Sequence, residues 1–226
     1  MKRVSILIAW TGLASFGCAL PDQEKNRCDT AADCLGGYAC AANVCQRVSG
    51  ISPQPEDLTT WTDSAAGFAW LNPVLSESLT WQKAATYCAE LVLDGQSDFR
   101  LPTISELRSL VRGCDLTLPG GACRVSDSCT SAFADCAFDV CSRGCTPGVA
   151  YKPPVEGGCF WDPALNQPPF LCFPNAINCH WSSTEDTLSK SKLVMCFFAA
   201  NITAVSEQNA QDPLKGYTAR CVRKLP

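Results

Sequence analysis

Histidine is nearly absent: His180 is the one imidazole in 226 residues. With one His and no paired C-x-x-C knuckles, zinc sites built from His and Cys lack ligands at the right spacing. No nucleophilic centre of the Ser–His–Asp or Cys–His kind can be built from the sequence either, because His180 has no identifiable base or nucleophile partner. A lone His is more often structural. Basic residues are in deficit, with 18 Lys and Arg against 22 Asp and Glu. A surface of that balance repels phosphate backbones at long range, so nucleic acid is not expected as a partner. Residues 181–226, with six basic and four acidic groups, are a local exception. Beyond the N-terminus no apolar run approaches membrane-spanning length.

Cysteine is what the chain has in excess, 17 in all. So many thiols belong in an oxidising compartment, where they become disulfides. The N-terminus agrees. Met1-Lys2-Arg3 is a short basic region, and Val4 to Phe16 is an apolar run too short to span a bilayer. Together they read as a signal peptide over residues 1–17. Ser15-Phe16-Gly17-Cys18 resembles a bacterial lipobox, with Gly17 in place and Ser15 and Phe16 as departures. Cys18 is therefore the expected lipid anchor and the bilayer the expected partner, in an outer-membrane lipoprotein facing the cell surface or the periplasm. The alternative is cleavage after Ala19, which would release a soluble secreted or periplasmic protein. Either route leaves 16 Cys, an even number, for pairing. Loss of Lys2 and Arg3 brings the charge to about −6.

An anchor segment, 18–27, precedes Cys28, Cys34, Cys40 and Cys45, which form a small module over 28–45. A segment this short cannot bury a useful core, so two disulfides must hold it. First-to-third and second-to-fourth pairing is expected among the three connectivities four Cys permit. The module reads as a rigid spacer. Residues 46–57, with Pro53 and Pro55, have linker composition. The main domain runs over 58–226. Phe68 to Leu71 reads as a strand following a turn at Asp63 to Gly67. Trp81, Ala84, Ala85, Cys88 and Leu91 recur at helical spacing. Thr103 and Glu106 form a capping box for a second helix that faces Ile104, Leu107, Leu110 and Val111 inward. Lys192 to Ala200, Ile202 to Val205 and Tyr217 to Arg223 read as strands, with Asn201 at a bend. The order makes an α+β domain with two helices and a small, mostly antiparallel sheet. Residues 113–179 are different: they carry 9 Cys and 8 Pro without visible periodicity. Such a segment is expected to be an irregular insert, stapled rather than packed.

WLNP at 70–73, TWQKAATYCAEL at 80–91, DFRLPTISEL at 98–107, WSSTE at 181–185 and RCVR at 220–223 resemble the Lcl C-terminal domain family. This is a bacterial domain first defined in a collagen-like adhesin and otherwise of unknown function. The motifs occur in family order and cover about half of residues 58–226. Phe99 departs from the usual Trp before RLP, and the insert at 113–179 is longer than the family's usual connection. The family is similar to the C-type-lectin-like fold, shared with formylglycine-generating enzymes. That resemblance implies a disulfide from the first helix to the last strand, here Cys88 to Cys221. The nine Cys of the insert and Cys196 then make ten, so Cys196 is expected to tie the domain core to the insert.

Each motif has a structural and a functional reading. Arg100, Pro102 and Glu106 could form a ligand-binding edge, but capping already explains their spacing. Trp181, Ser182, Ser183 and Thr184 offer an aromatic face beside hydroxyls, as sugar sites do, or else a buried Trp and a Ser/Thr turn. Arg220 and Arg223 belong to the RCVR motif and share the same two readings. Calcium stays open as an alternative without support, since no spaced loop of oxygen ligands is visible around Asp162, Pro174-Asn175 or Glu185-Asp186. No cofactor and no metal is expected. The resulting expectation is a non-catalytic recognition or adhesion lipoprotein on a Gram-negative envelope, with a glycan or surface protein as ligand. The glycan rests on fold analogy alone. The alternatives are an oxidoreductase resembling the formylglycine generators, which requires reactive thiols, and a purely structural envelope protein.

Overall fold

The computed structural model describes residues 38–41, 44–47, 58–72, 78–130, 136–145, 151–154, 158–165, 172, 178–212 and 217–226. The chain divides into two compact units, Met1–Arg47 and Val48–Pro226. In the first, β1 (Tyr38–Ala41) pairs antiparallel with β2 (Val44–Arg47), setting Cys40 opposite Cys45. Gln46 and Arg47 thus belong to a strand rather than to the linker. The leader, Cys18, Cys28 and Cys34 lie outside the described residues, as do the side chains of this unit. Among the described residues no helix is long and apolar enough to cross a membrane.

The second unit mixes helices with two small antiparallel sheets. β3 (Thr59–Asp63) and β4 (Phe68–Asn72) form a hairpin, and β8 (Val222–Lys224) adds to β4. Asp63 closes the hairpin: its carbonyl accepts from Gly67 N at 2.9 Å and its carboxylate from Ala66 N at 3.0 Å. Gly67 adopts φ +75°, which a side chain would resist. The other sheet runs β5 (Cys179–Glu185), β6 (Lys192–Cys196) and β7 (Asn201–Val205). The strand expected over 192–200 therefore stops at Cys196 and turns, because Ala200 takes a left-handed φ of +46° and redirects the chain into β7. The final strand is shorter than expected. Tyr217 and Thr218 contribute only isolated bridges, to Leu79 and His180.

Helix α1 (Trp81–Glu90) starts at Thr80, whose hydroxyl accepts from Lys83 N at 3.3 Å. Its inward residues are Ala84 and Cys88, and Leu91 follows them into the core. Trp81 and Ala85, expected on the same face, are only half-buried. Helix α2 (Ile104–Ser109) and the two residues that follow it bury all four expected positions, Ile104, Leu107, Leu110 and Val111. The β5–β6–β7 sheet has apolar packing on both faces. Val194 and Trp181 join α1, Leu71 and Leu101 in one cluster. Leu193 and Met195 point the other way, into a cluster with α2, Trp70 and Val222.

The insert completes that second cluster, which corrects the reading of it as stapled but unpacked. Val125, Phe160, Trp161 and Leu165 are buried against α2 and β6. The insert also holds a short helix, α3 (Phe138–Arg143), and a 3-10 turn at Pro163–Leu165. Period-based reading misses these because neither exceeds two turns. α3 docks on the β6–β7 turn: Cys145 N donates to Ala199 O at 2.6 Å and Asn201 Nδ2 to Ser142 O at 3.3 Å. Gly144, at φ +56°, passes so close to Ala199 O that a Cβ would collide with it.

All twelve cysteines of 58–226 are bridged. Cys88 pairs with Cys221, 133 positions away, tying α1 to the start of β8. Four bridges lie within the insert: Cys114–Cys145, Cys123–Cys141, Cys129–Cys136 and Cys159–Cys172. Cys196 pairs with Cys179, its direct cross-strand partner. Cys179 falls inside the expected insert by number, yet it begins β5. The bridge therefore locks two core strands rather than tying core to insert. Replacing Cys88 and Cys221 together with Ala should lower unfolding free energy by about 3 kcal/mol in urea titration. That is the low end for so long a loop, because five further bridges nested within it already shorten the unfolded chain.

Candidate functional site

The sequence motifs meet at the N-terminus of α2. A helix start leaves its first N–H groups without intrahelical partners, and here each finds one. Thr103 Oγ1 accepts from Glu106 N at 3.2 Å, and Glu106 Oε2 accepts from Thr103 N at 2.8 Å, the capping box expected from the sequence. Ile104 N donates to Thr184 Oγ1 at 2.9 Å, and Ser105 N to Asp127 Oδ1 at 3.2 Å. Thr184 Oγ1 in turn donates to Asp127 Oδ1 at 3.2 Å. Arg100 clasps both oxygens of Glu106, at 2.7 and 2.6 Å. That hydrogen-bonded pairing raises the affinity of the guanidinium for its proton. Pro102 O accepts from Ser183 N at 2.7 Å and from its hydroxyl at 3.2 Å. Arg100 also bridges to Val222 by backbone hydrogen bonds in both directions. The RLPT, WSST and RCVR segments are therefore fastened together at one corner, with Asp127 of the insert as a fourth member. Arg100, Glu106, Ser183, Thr184 and Asp127 leave a polar surface there, but its hydrogen bonds are made internally.

Trp181 and Ser182 do not reach that surface. Both are fully buried, with Trp181 Nε1 donating to Leu79 O at 2.8 Å and Ser182 Oγ to Leu193 O at 2.7 Å. Trp181 has no free face on which a sugar ring could stack. Half-buried Trp81 is nearer the exterior, and Lys192 Nζ sits 4.0 Å from its ring centroid. Lys192 is held there by its ion pair with Glu185. Arg223 stays near the surface with Asp98 and Gln96, at 3.5 and 2.9 Å. Among the described residues no group of three or more His, Cys, Asp or Glu is arranged to hold a metal ion.

Two buried cations lie behind this corner. Arg108 sits on the apolar stripe of α2, four residues after Ile104, a position that could have been noticed from the helical period. Its guanidinium donates to four insert carbonyls: Thr117 O at 2.9 Å, Leu118 O at 3.0 Å, Cys123 O at 2.8 Å, and Val125 O. Asp127, the other contributor missed in the sequence, gave no signal, since a lone Asp in a Ser-rich loop looks like an ordinary turn. Arg220 is the second buried cation. Its Nη1 donates to Leu71 O at 3.1 Å, and its Cζ lies 4.8 Å from the Trp161 ring centroid. Burial alone lowers its pKa to about 9, so it is charged at neutral pH. Its Nε and Nη2 have no hydrogen-bond partner among the described residues. Leaving even a neutral buried donor unmet costs about 1–3 kcal/mol, and a charged one more.

His180 packs between Trp161 and Phe197, at ring-centroid distances of 5.6 and 5.5 Å. Burial, with the Arg220 charge adding to it, holds its pKa well below the ordinary value. The folded state therefore keeps His180 neutral at a pH where the unfolded chain takes up a proton. Stability due to His180 is present above about pH 6.5 and is lost as pH falls below it. Unfolding free energies from urea titration should show a slope of about 1.4 kcal/mol per pH unit between roughly pH 6 and 5, absent in His180→Phe. Thr184→Val, which orphans Ile104 N, should cost about 1–2 kcal/mol in the same titration.

A family model, the Lcl C-terminal domain, matches residues 59–223. No curated protein and no solved structure matches the chain. The match spans both sheets, the helices and the insert, and it includes every motif joined at the α2 corner. On that extent of agreement, the chain belongs to the Lcl C-terminal domain family.

Proposed function

We propose that this is an exported, membrane-tethered recognition protein without catalytic activity, its Lcl domain carrying a C-type-lectin-like arrangement. The observation that carries the reading is the complete pairing of the twelve cysteines of 58–226 into six disulfides. A thiol-dependent oxidoreductase of related fold needs reactive thiolates, and the domain commits its sulfurs to a rigid framework instead. Rigidity suits recognition, because a pre-ordered surface loses little entropy on binding. The Cys88–Cys221 bridge from first helix to last strand supports the lectin-like arrangement. The basic leader, the short apolar run and Cys18 support export and acylation. The burial of Trp181 and Ser182 moves any glycan contact off those two side chains, to the exposed polar corner of Arg100, Ser183 and Asp127 or to neighbouring surface.

Alkylation of the unreduced mature chain, read by mass spectrometry, should label no cysteine in 58–226. Two labelled thiols close together would instead favour the oxidoreductase. Labelling with palmitate should mark the wild type and not Cys18→Ala. The same acylated chain on a glycan array should bind at least one carbohydrate class, and uniform silence would favour a purely structural envelope protein.

A further inference from the structure

Seven buried side-chain atoms lack a hydrogen-bond partner among the described residues, and six of them belong to four neighbouring side chains. They are Trp70 Nε1, Asn72 Oδ1, both ring nitrogens of His180, and Nε and Nη2 of Arg220. Trp70 and Asn72 flank Leu71, whose carbonyl anchors Arg220 at 3.1 Å. Arg220 lies over Trp161, and Trp161 lies against His180. Asn72 Nδ2 reaches Ala164 O, just past Trp161, at 3.4 Å. Five of the six orphans thus lie around one aromatic ring, with Trp70 in the same buried cluster, rather than scattered through the core, where buried polar groups are ordinarily paired.

Their chemistry is one-sided. Unmet N–H donors are supplied by Arg220 Nε, Arg220 Nη2, Trp70 and one nitrogen of neutral His180. The only unmet acceptors are the other His180 nitrogen and Asn72 Oδ1. The site carries one positive charge, and Arg220 forms no ion pair among the described residues. Arg108, also buried, shows what satisfaction looks like: four carbonyls facing one guanidinium. A donor-rich, singly charged interior is complementary to a small monovalent anion, which only accepts, and less so to water, which must also donate. Trp70, His180 and Arg220 are 0% exposed and Asn72 is 7%, so no ligand group extends in from the surface.

We propose that Arg220, together with Trp70 and His180, encloses a single anion of halide size, taken up as the domain folds. The test uses the full mature chain with disulfides intact, unfolded in urea and refolded without halide. Thermal unfolding is then followed against bromide at constant ionic strength, with gluconate as the oversized replacement. The wild type should gain on the order of 5 °C in a saturable manner, and Arg220→Met should gain none. A melting temperature indifferent to bromide in the wild type would overturn the proposal. Should Arg220→Met fail to fold, crystals of wild type refolded in bromide decide instead. An anomalous peak within hydrogen-bonding reach of Arg220 Nε or Nη2 supports the site. Bromide confined to the surface, or water alone beside Arg220, refutes it.

Discussion

Arg108 carries a charge into the apolar face of α2, and backbone carbonyls between Thr117 and Val125 turn inward to meet it. Most of the domain's organisation depends on that exchange. A buried guanidinium without acceptors would be strongly destabilising, and a loop burying four carbonyls without donors would be too. Each makes the other tolerable. The insert is thereby placed on α2 before any disulfide is considered, and Cys123, whose carbonyl is one of those acceptors, bridges onward to α3. The staples then hold a geometry that hydrogen bonds and packing have already specified.

The other end of α2 uses the same logic with weaker groups. Its free N–H groups are taken by Thr184 from β5 and Asp127 from the insert, so three segments remote in sequence converge on one helix start. In this chain the family motifs are therefore joints between segments. Their side chains are engaged with one another, which leaves the exposed corner polar yet internally satisfied. A surface of that kind favours contact through its rim and backbone over the bidentate capture an unpaired Arg would offer.

Arg108 and Arg220 show how context divides two chemically identical groups. Burial lowers the pKa of both. Arg108 meets its loss of water with carbonyls, while Arg220 has one carbonyl and an aromatic face. His180 beside it stays neutral because a second charge in the same dry volume would be repelled as well as desolvated. The two cores differ accordingly: one side of the β5–β6–β7 sheet is plainly apolar, and the other contains this polar interior.

Much was legible in the residues. The capping box, the buried positions of α2 and the α+β class follow from periodicity and local hydrogen-bonding chemistry, which act over three or four residues. The oxidising environment follows from cysteine number. The Cys88–Cys221 bridge was legible only through family resemblance, because spacing does not encode which distant thiols meet. The insert was not legible. Its helix and 3-10 turn are too short to show a period, and its packing depends on Phe160, Trp161 and Leu165 finding a sheet face made by residues far downstream. For the same reason WSST could not be resolved from sequence into a buried Trp181 and an exposed Ser183: alternation says that neighbours face opposite ways, not which face is covered. The sequence alone determined local elements and redox setting, since those depend on near neighbours and composition. Only the tertiary structure decided which cysteines pair within the insert, which arginine is satisfied and which is not, since desolvation and pairing depend on groups brought together from across the chain.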